Sequence, residues 1–218
     1  MEILIPRIAD SALALEGVRL DEGAELEVHE IDLDSLLFST AGSGALSLAG
    51  ETAAIEGGSA ALVLAGEEAT FVAGAGGLEL IRATVGSDAD RHAPMGPREV
   101  VVALDDAISE QATGARSFQI LFGPHNGSAR ATLFAGYLPP GRAAWHYHLY
   151  DEIVWIPQGP GSLHLRGSEN ALGPGSAFRL RPREVHVVES STPDREMTVI
   201  GVFTPAGSPS AAYLAPTP

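Results

Sequence analysis

Residues 141–152 read Gly141-Arg142-Ala143-Ala144-Trp145-His146-Tyr147-His148-Leu149-Tyr150-Asp151-Glu152, and Gly159 follows seven positions later. Side chains at i and i+2 of a strand project to one face, so His146 and His148 point the same way from an extended segment. Glu152 keeps their parity and arrives beside them if the chain turns into a neighbouring strand. Further on, Gly175 and Pro182 turn the chain back and place His186 as a fourth donor. A lone histidine on a strand is most often a satisfied polar residue. Four ligand-type residues gathered in this way instead point to a metal centre. Imidazole and carboxylate together suit Mn, Fe, Ni, Cu or Zn better than Mg or Ca.

Outward from this segment the chain reads as β structure. In the first part, Gly42-Ser43-Gly44, Gly50-Glu51, Glu56-Gly57-Gly58 and Gly66-Glu67 separate short apolar runs at 24–31, 36–39, 45–48, 60–64 and 78–83. Runs of this length between turn signals are those of a sandwich or barrel. A second series occupies 117–122, 130–138, 153–156, 163–165, 177–180, 186–188 and 197–203, with Asn126-Gly127 marking a hairpin turn. Between the two series the texture changes over 87–115: residues 87–97 are polar and rich in Pro and Gly, as suits a connector, and a short helical turn is expected over 105–111. The Pro-, Ala- and Ser-rich end, 204–218, is expected to lie extended over the surface or to trail free.

The two series lie on one another. Ser35-Leu36-Leu37-Phe38-Ser39-Thr40-Ala41-Gly42-Ser43-Gly44 matches Glu152-Ile153-Val154-Trp155-Ile156-Pro157-Gln158-Gly159-Pro160-Gly161, and Gly58-Ser59-Ala60 matches Gly175-Ser176-Ala177. An internal duplication is the simplest account. It divides the chain into an N-terminal unit (1–88), a connector (89–115) and a C-terminal unit (116–218). The first copy sets His29, Ile31, Ser35 and Ala69 opposite His146, His148, Glu152 and His186. One imidazole cannot hold a metal.

The segment from Gly141 to Gly159 resembles the first cupin motif: a Gly, then His-x-His, a Glu four positions on, and a Gly seven after that. Gly141, His146, His148, Glu152 and Gly159 fill those places. Gly175 to His186 resembles the second motif, although Pro182 stands one position late and Ser190 replaces a common Asn. The resemblance implies an all-β fold of two cupin (jelly-roll type) β-barrels in tandem. The second would hold one divalent transition metal (Mn, Fe, Ni, Cu or Zn) on His146, His148, Glu152 and His186. The first would be a degenerate copy serving packing or a homodimer surface. The resemblance further implies a metal-dependent small-molecule enzyme, with dioxygenase-like oxidation placed first. The alternatives are a non-redox isomerase or hydrolase acting on a keto-sugar or ureido compound, and a metabolite-binding protein without turnover.

Around the ligands, Tyr150 shares their parity and Arg181 belongs to a short basic stripe, Arg179, Arg181 and Arg183, so both are candidate catalytic residues. Arg130, Phe134 and Phe178 are further pocket candidates. Trp145 and Tyr147 alternate with the ligands and should face away. His164 is out of phase with Leu163 and Leu165 and is expected to be exposed. His92 and His125 fall in connector and turn.

Composition narrows the partners. The net charge is −15. A nucleic-acid backbone or an anionic membrane surface is bound through clustered Lys and Arg, so neither is an expected partner. All 13 basic residues are Arg, which removes chemistry that needs a lysine amine. Without Cys there is neither thiolate nor disulfide. No basic leader and no apolar run of about 20 residues is present, so a soluble cytoplasmic protein is expected. Its partner is then a small molecule, anionic or chelating through two oxygens.

Overall fold

The computed structural model describes residues 1–112 and 115–216, and their regular structure is almost wholly β. Two short 3-10 turns, Leu104–Asp106 and Pro124–Asn126, are the helical elements among them, and no helix is long and apolar enough to cross a membrane. The turn expected over 105–111 is confined to Leu104–Asp106. Ser109–Gln111 instead joins a sheet beside Ser117–Phe122.

In the first half, Asp34–Leu48 and Glu68–Val85 pair along almost their whole length, with register shifts between Ser39 and Ala41 and between Gly42 and Gly44. There the sheet bends over on itself. Gly42 has φ +84°, and a Cβ at this position would run into the Gly77 carbonyl, so the bend requires glycine. In the second half two six-stranded antiparallel sheets stand apart. One carries Ala177–Leu180, Asp151–Gln158, Met197–Thr204, Thr132–Leu138, Ser117–Phe122 and Ser109–Gln111, in that spatial order. The other carries Ser168–Leu172, Gly161–Leu165, His186–Ser190, His146–His148 and Ala212–Leu214, with Gly141–Arg142 beside His186–Ser190. The terminal segment is therefore no free tail, because Ala212–Leu214 completes the sheet that bears the histidines.

The duplication read from the sequence reappears in the pairing. Ser35 pairs with Val63 and Thr84. Glu152, its counterpart, pairs with Leu180 and Phe203. Leu37 pairs with Ala61 and Arg82, and its counterpart Val154 with Phe178 and Gly201. Every partner in the second copy is displaced from the first by a nearly constant interval.

Three apolar layers hold these sheets. Leu37, Leu46, Ile55 and Phe71 fill the inside of the first half. Phe118, Phe134, Val154 and Phe203 fill the inside of the second. Between them a shared layer joins Leu36, Phe38, Leu62 and Ile81 to Leu133, Ile153, Ile200 and Val202. Strands with both faces buried read as continuous apolar runs, which is why 36–38 and 153–156 do not alternate with polar residues.

Polar ties cross the shared layer. Arg130 Nη1 donates to Asp34 Oδ1 at 2.9 Å, both side chains almost fully buried, and the Ser11 hydroxyl donates to Asp151. Arg130, a sequence candidate for the pocket, is thus spent on joining the halves. Removing one partner of such a pair leaves a buried charge uncompensated. Asp34→Ala is expected to cost about 3–5 kcal/mol in denaturant unfolding, and the double change Asp34→Leu with Arg130→Met to recover most of it.

Candidate metal centre

His146 and His186 are cross-strand partners on adjacent strands, and their rings lie 4.4 Å apart, centroid to centroid. His148, two residues on, has its ring 5.0 Å from that of His186. Glu152 approaches from the opposite sheet and sets Oε2 2.8 Å from His148 Nε2. All four are buried and line one cavity of about 110 Å³. Among the described residues no group of three or more His, Asp or Glu side chains is closed into a metal-binding arrangement. The four donors surround the cavity without being drawn onto one point.

The far side of each ring shows what the near side is for. Nδ1 of His146 lies 3.0 Å from the Ala144 carbonyl, that of His148 2.9 Å from the Tyr150 carbonyl, and that of His186 2.9 Å from the Glu184 carbonyl. A carbonyl can only accept, so each Nδ1 carries a hydrogen, and the neutral rings of His146 and His186 keep an Nε2 lone pair. This is how ligating histidines are oriented by their surroundings. Burial holds His146 and His186 neutral, with pKa values pushed down to about 4. Burial acts in the same sense on His148, but contact with the Glu152 carboxylate outweighs it and raises its pKa. His148 Nε2 is buried and makes no hydrogen bond despite its short distance to Glu152. At this range Nε2 and the carboxylate oxygen share either a proton or a cation, and both are donor atoms that a transition metal takes. The donor set therefore fits a transition metal.

Tyr150 stacks on the His148 ring, with centroids 4.1 Å apart, and its hydroxyl donates to the Pro209 carbonyl at 3.4 Å. Burial, reinforced by Glu152, raises its pKa well above the ordinary value, so it stays a donor at neutral pH. It lines the cavity, as does Phe134. Arg181, the other catalytic candidate, does not. Leu180 takes the inward position on its strand, and the Arg181 guanidinium turns outward to pair with Asp10. Arg179 likewise donates to the carbonyls of Pro6 and Leu13, so the basic stripe clasps the N-terminal segment. Phe178, Trp145 and Tyr147 stand outside the cavity lining, Tyr147 stacked on Tyr213. His164 is buried rather than exposed, because its Nε2 lies 2.8 Å from Glu189 under the edge of Trp145. Among the lining residues that the sequence reading did not single out is Arg116, half-buried just before Ser117–Phe122. It shares strand parity with Phe118, whose side chain packs inside this half, and that alternation was its signal.

The first half shows the same frame without the ligands. His29 is exposed, with Nδ1 3.2 Å from the Glu67 carbonyl, and Ile31 is exposed. Arg82, the counterpart of Gly201, donates to Ser35 Oγ at 3.1 and 3.0 Å, to Glu16 at 3.1 Å and to Glu30 at 2.8 Å. A guanidinium supplies the positive charge there. At Gly201 a Cβ would collide with the Phe134 ring and stand 3.2 Å from Glu152 Oε1. Only a bare backbone leaves room for the carboxylate.

A family model described as the AraC-like ligand binding domain matches residues 131–202. L-ectoine synthase of Mycolicibacterium gilvum is 40% identical over 63 residues, which are 28% of this chain and 46% of that protein. The match thus spans less than half of that relative. A point mutant of Bacillus subtilis oxalate decarboxylase superposes with a TM-score of 0.76 at 13% identity, covering 94% of this chain and 71% of that one. A further structure of the Bacillus enzyme, described by its Mn(II) centres, superposes with a TM-score of 0.68 at 15% identity over the same shares of the two chains. A cupin 2 conserved barrel domain protein from Leptotrichia buccalis superposes with a TM-score of 0.62 at 14% identity, covering 88% and 84%. The fold is that of the cupins.

Gly201→Ala is expected to cost about 1–3 kcal/mol through overpacking, read by thermal unfolding. In the metal-free protein, stability should fall between pH 6.5 and 4. An unfolded chain takes up protons on these imidazoles near pH 6.5, whereas folded His146 and His186 resist until about 4. Their contribution is complete above pH 6.5 and is lost as pH drops through 4. It is on the order of 3 kcal/mol each, offset in part by His148, whose shift has the opposite sign. Denaturant melts across this range in the presence of a chelator check it.

Proposed function

We propose that the second half of the chain is a metal-dependent catalytic centre acting on a small molecule, within a two-barrel cupin whose first barrel has lost its ligands. The observation that carries this reading is the threefold Nδ1-to-carbonyl tether, which aims the Nε2 lone pairs of His146, His148 and His186 at a cavity shared with Glu152. Three neutral imidazoles and one carboxylate would hold Mn, Fe, Ni, Cu or Zn. When bound, a divalent ion supplies Lewis acidity toward a carbonyl or carboxyl oxygen, or a redox centre.

The chain's own residues do the rest. Tyr150 presents a phenol hydroxyl beside His148, and its raised pKa keeps that proton in place to donate to substrate oxygen. Phe118, Phe134, Leu138 and Val199 give the cavity an apolar lining. Glu152, now 2.8 Å from His148 Nε2, would serve as the anionic ligand beside the three imidazoles. The relatives whose names carry a reaction are a synthase and a decarboxylase, which supports Lewis-acid conversion of a small oxygen-bearing compound. Dioxygenase-type oxidation is the second reading, favoured by the apolar lining.

Protein expressed in medium supplemented with manganese or iron is expected to retain about one equivalent after dialysis, by elemental analysis. His148→Ala and His186→Ala should each lower retention at least tenfold, with the far-ultraviolet circular dichroism unchanged. Affinity should rise with pH, since a metal competes with the proton that Glu152 helps His148 to hold. Wild type that takes up no transition metal at pH 8 would sink the proposal. Oxygen uptake with a panel of enediols and 2-oxo acids separates the two chemistries.

A further inference from the structure

Resting on that reading of the centre, we infer that Phe134, laid flat across Gly136 and Gly201, is the specificity-determining residue of the site and limits it to compact ligands with a small apolar end. The histidines stand on one sheet, and the sheet that faces them brings Glu152 together with hydrocarbon. Phe134, Gly136 and Leu138 follow one another along the inward face of Thr132–Leu138. Val199 joins them as the cross-strand partner of Gly136. A ligand that gives oxygen to the centre therefore turns its other end toward carbon.

Two bare backbones explain how the Phe134 ring lies. Gly201 is its cross-strand partner, and Gly136 is two residues further along its own strand. A Cβ on Gly201 would collide with Cε1 and Cζ of the ring, and one on Gly136 would stand 3.3 Å from Cε2 and 2.8 Å from Val199 Cγ2. The ring thus rests on the sheet over both glycines, edge-on to Phe203 with centroids 5.9 Å apart. Neither glycine has a positive φ, so no turn calls for glycine at either place. Glycine inside a strand weakens it and marks a close approach of other groups. Here those groups are the Phe134 ring and, 3.2 Å from the same Gly201 Cβ position, Glu152 Oε1. Phe134 is thus the apolar neighbour of the anionic ligand, and the height of its ring sets the space left beside it.

A methyl group at either glycine would tip the ring upward into a cavity of about 110 Å³. A smaller residue at 134 would deepen that cavity beside Glu152. In an apolar pocket one methylene changes recognition by about 10–200-fold, so the height of one ring is enough to sort ligands by size.

The test uses the full chain loaded with Mn(II), with the metal content of each protein measured first. Formohydroxamate, acetohydroxamate and benzohydroxamate offer the same two oxygens and differ only in the end that would meet Phe134. Their binding is read from the electron paramagnetic resonance of the bound Mn(II). Wild type is expected to bind the two small ligands at least tenfold more tightly than benzohydroxamate, and Phe134→Ala should cut that preference to threefold or less. Gly136→Ala should weaken acetohydroxamate at least tenfold, and adding Phe134→Ala should restore it, which a merely loosened fold would not do. Equal affinities across the series in wild type, as when the benzene ring escapes into the neighbouring cavity of about 310 Å³, would overturn the inference. So would no binding of any hydroxamate, or a preference that Phe134→Ala leaves intact. Where Phe134→Ala does not fold, Gly136→Ala decides, and unchanged acetohydroxamate affinity there overturns the inference. Failure of the metal centre shows separately, as wild type that holds no Mn(II). A crystal structure of metal-free Gly136→Ala then decides alone: a Phe134 ring raised into the cavity upholds the inference, and a ring still flat overturns it.

Discussion

Ile153 lies in the apolar layer shared by the two halves, and strand geometry then leaves Glu152 and Val154 no choice but to face the interior of the second half. The same rule acts on the neighbouring strand, where Ile200 and Val202 enter the shared layer and Val199, Gly201 and Phe203 turn inward. Back-to-back packing of two sheets thus turns Glu152 toward the cavity that the histidines line. A one-residue slip in either strand would bury Glu152 in hydrocarbon, at a cost of several kcal/mol, and carry Ile153 into the cavity. The shared layer stabilises the molecule and orients its chemistry through one alternation.

The two halves answer the same electrostatic question differently. Each has a polar position at the start of an inward-facing strand, Ser35 or Glu152, and each meets a basic side chain there, Arg82 in the first half and His148 in the second. In the first half Arg82 reaches Ser35 from the position that Gly201 occupies in the second, and Glu16 and Glu30 hold its guanidinium. In the second half the absence of a side chain at Gly201 leaves that volume to the Glu152 carboxylate. The Arg82-to-Gly201 difference, together with those at Ile31, Ser35 and Ala69, distinguishes an ion-pair network in the first half from a histidine-lined cavity in the second.

Much of this was legible from residues alone. The spacing of His146, His148 and Glu152, and the return at Gly175, carry strand parity and a turn, both short-range properties that sequence encodes directly. The repeat was legible because both copies keep glycines at Gly42 and Gly159, and at Gly58 and Gly175, where positive φ is needed. What stayed hidden depends on contacts between distant segments. Nothing near Arg181 announces that Asp10 will take its guanidinium, nor does the setting of His164 announce Glu189. Arg116 lies beside the connector, where polarity reads as solvent exposure, and only the closure of the chamber turns it inward.

The pairing of Ala212–Leu214 with His146–His148 has a bearing on how this chain behaves among its neighbours. Without it the histidine strand would present a row of unpaired amides and carbonyls, a template for any other extended polypeptide. Pro209 and Ala212 also wall the cavity, so the segment that shields the sheet edge forms part of the wall around the histidines. Shortening the protein before Ala212 would therefore do two things at once: leave a sticky border for self-association and unroof the histidines.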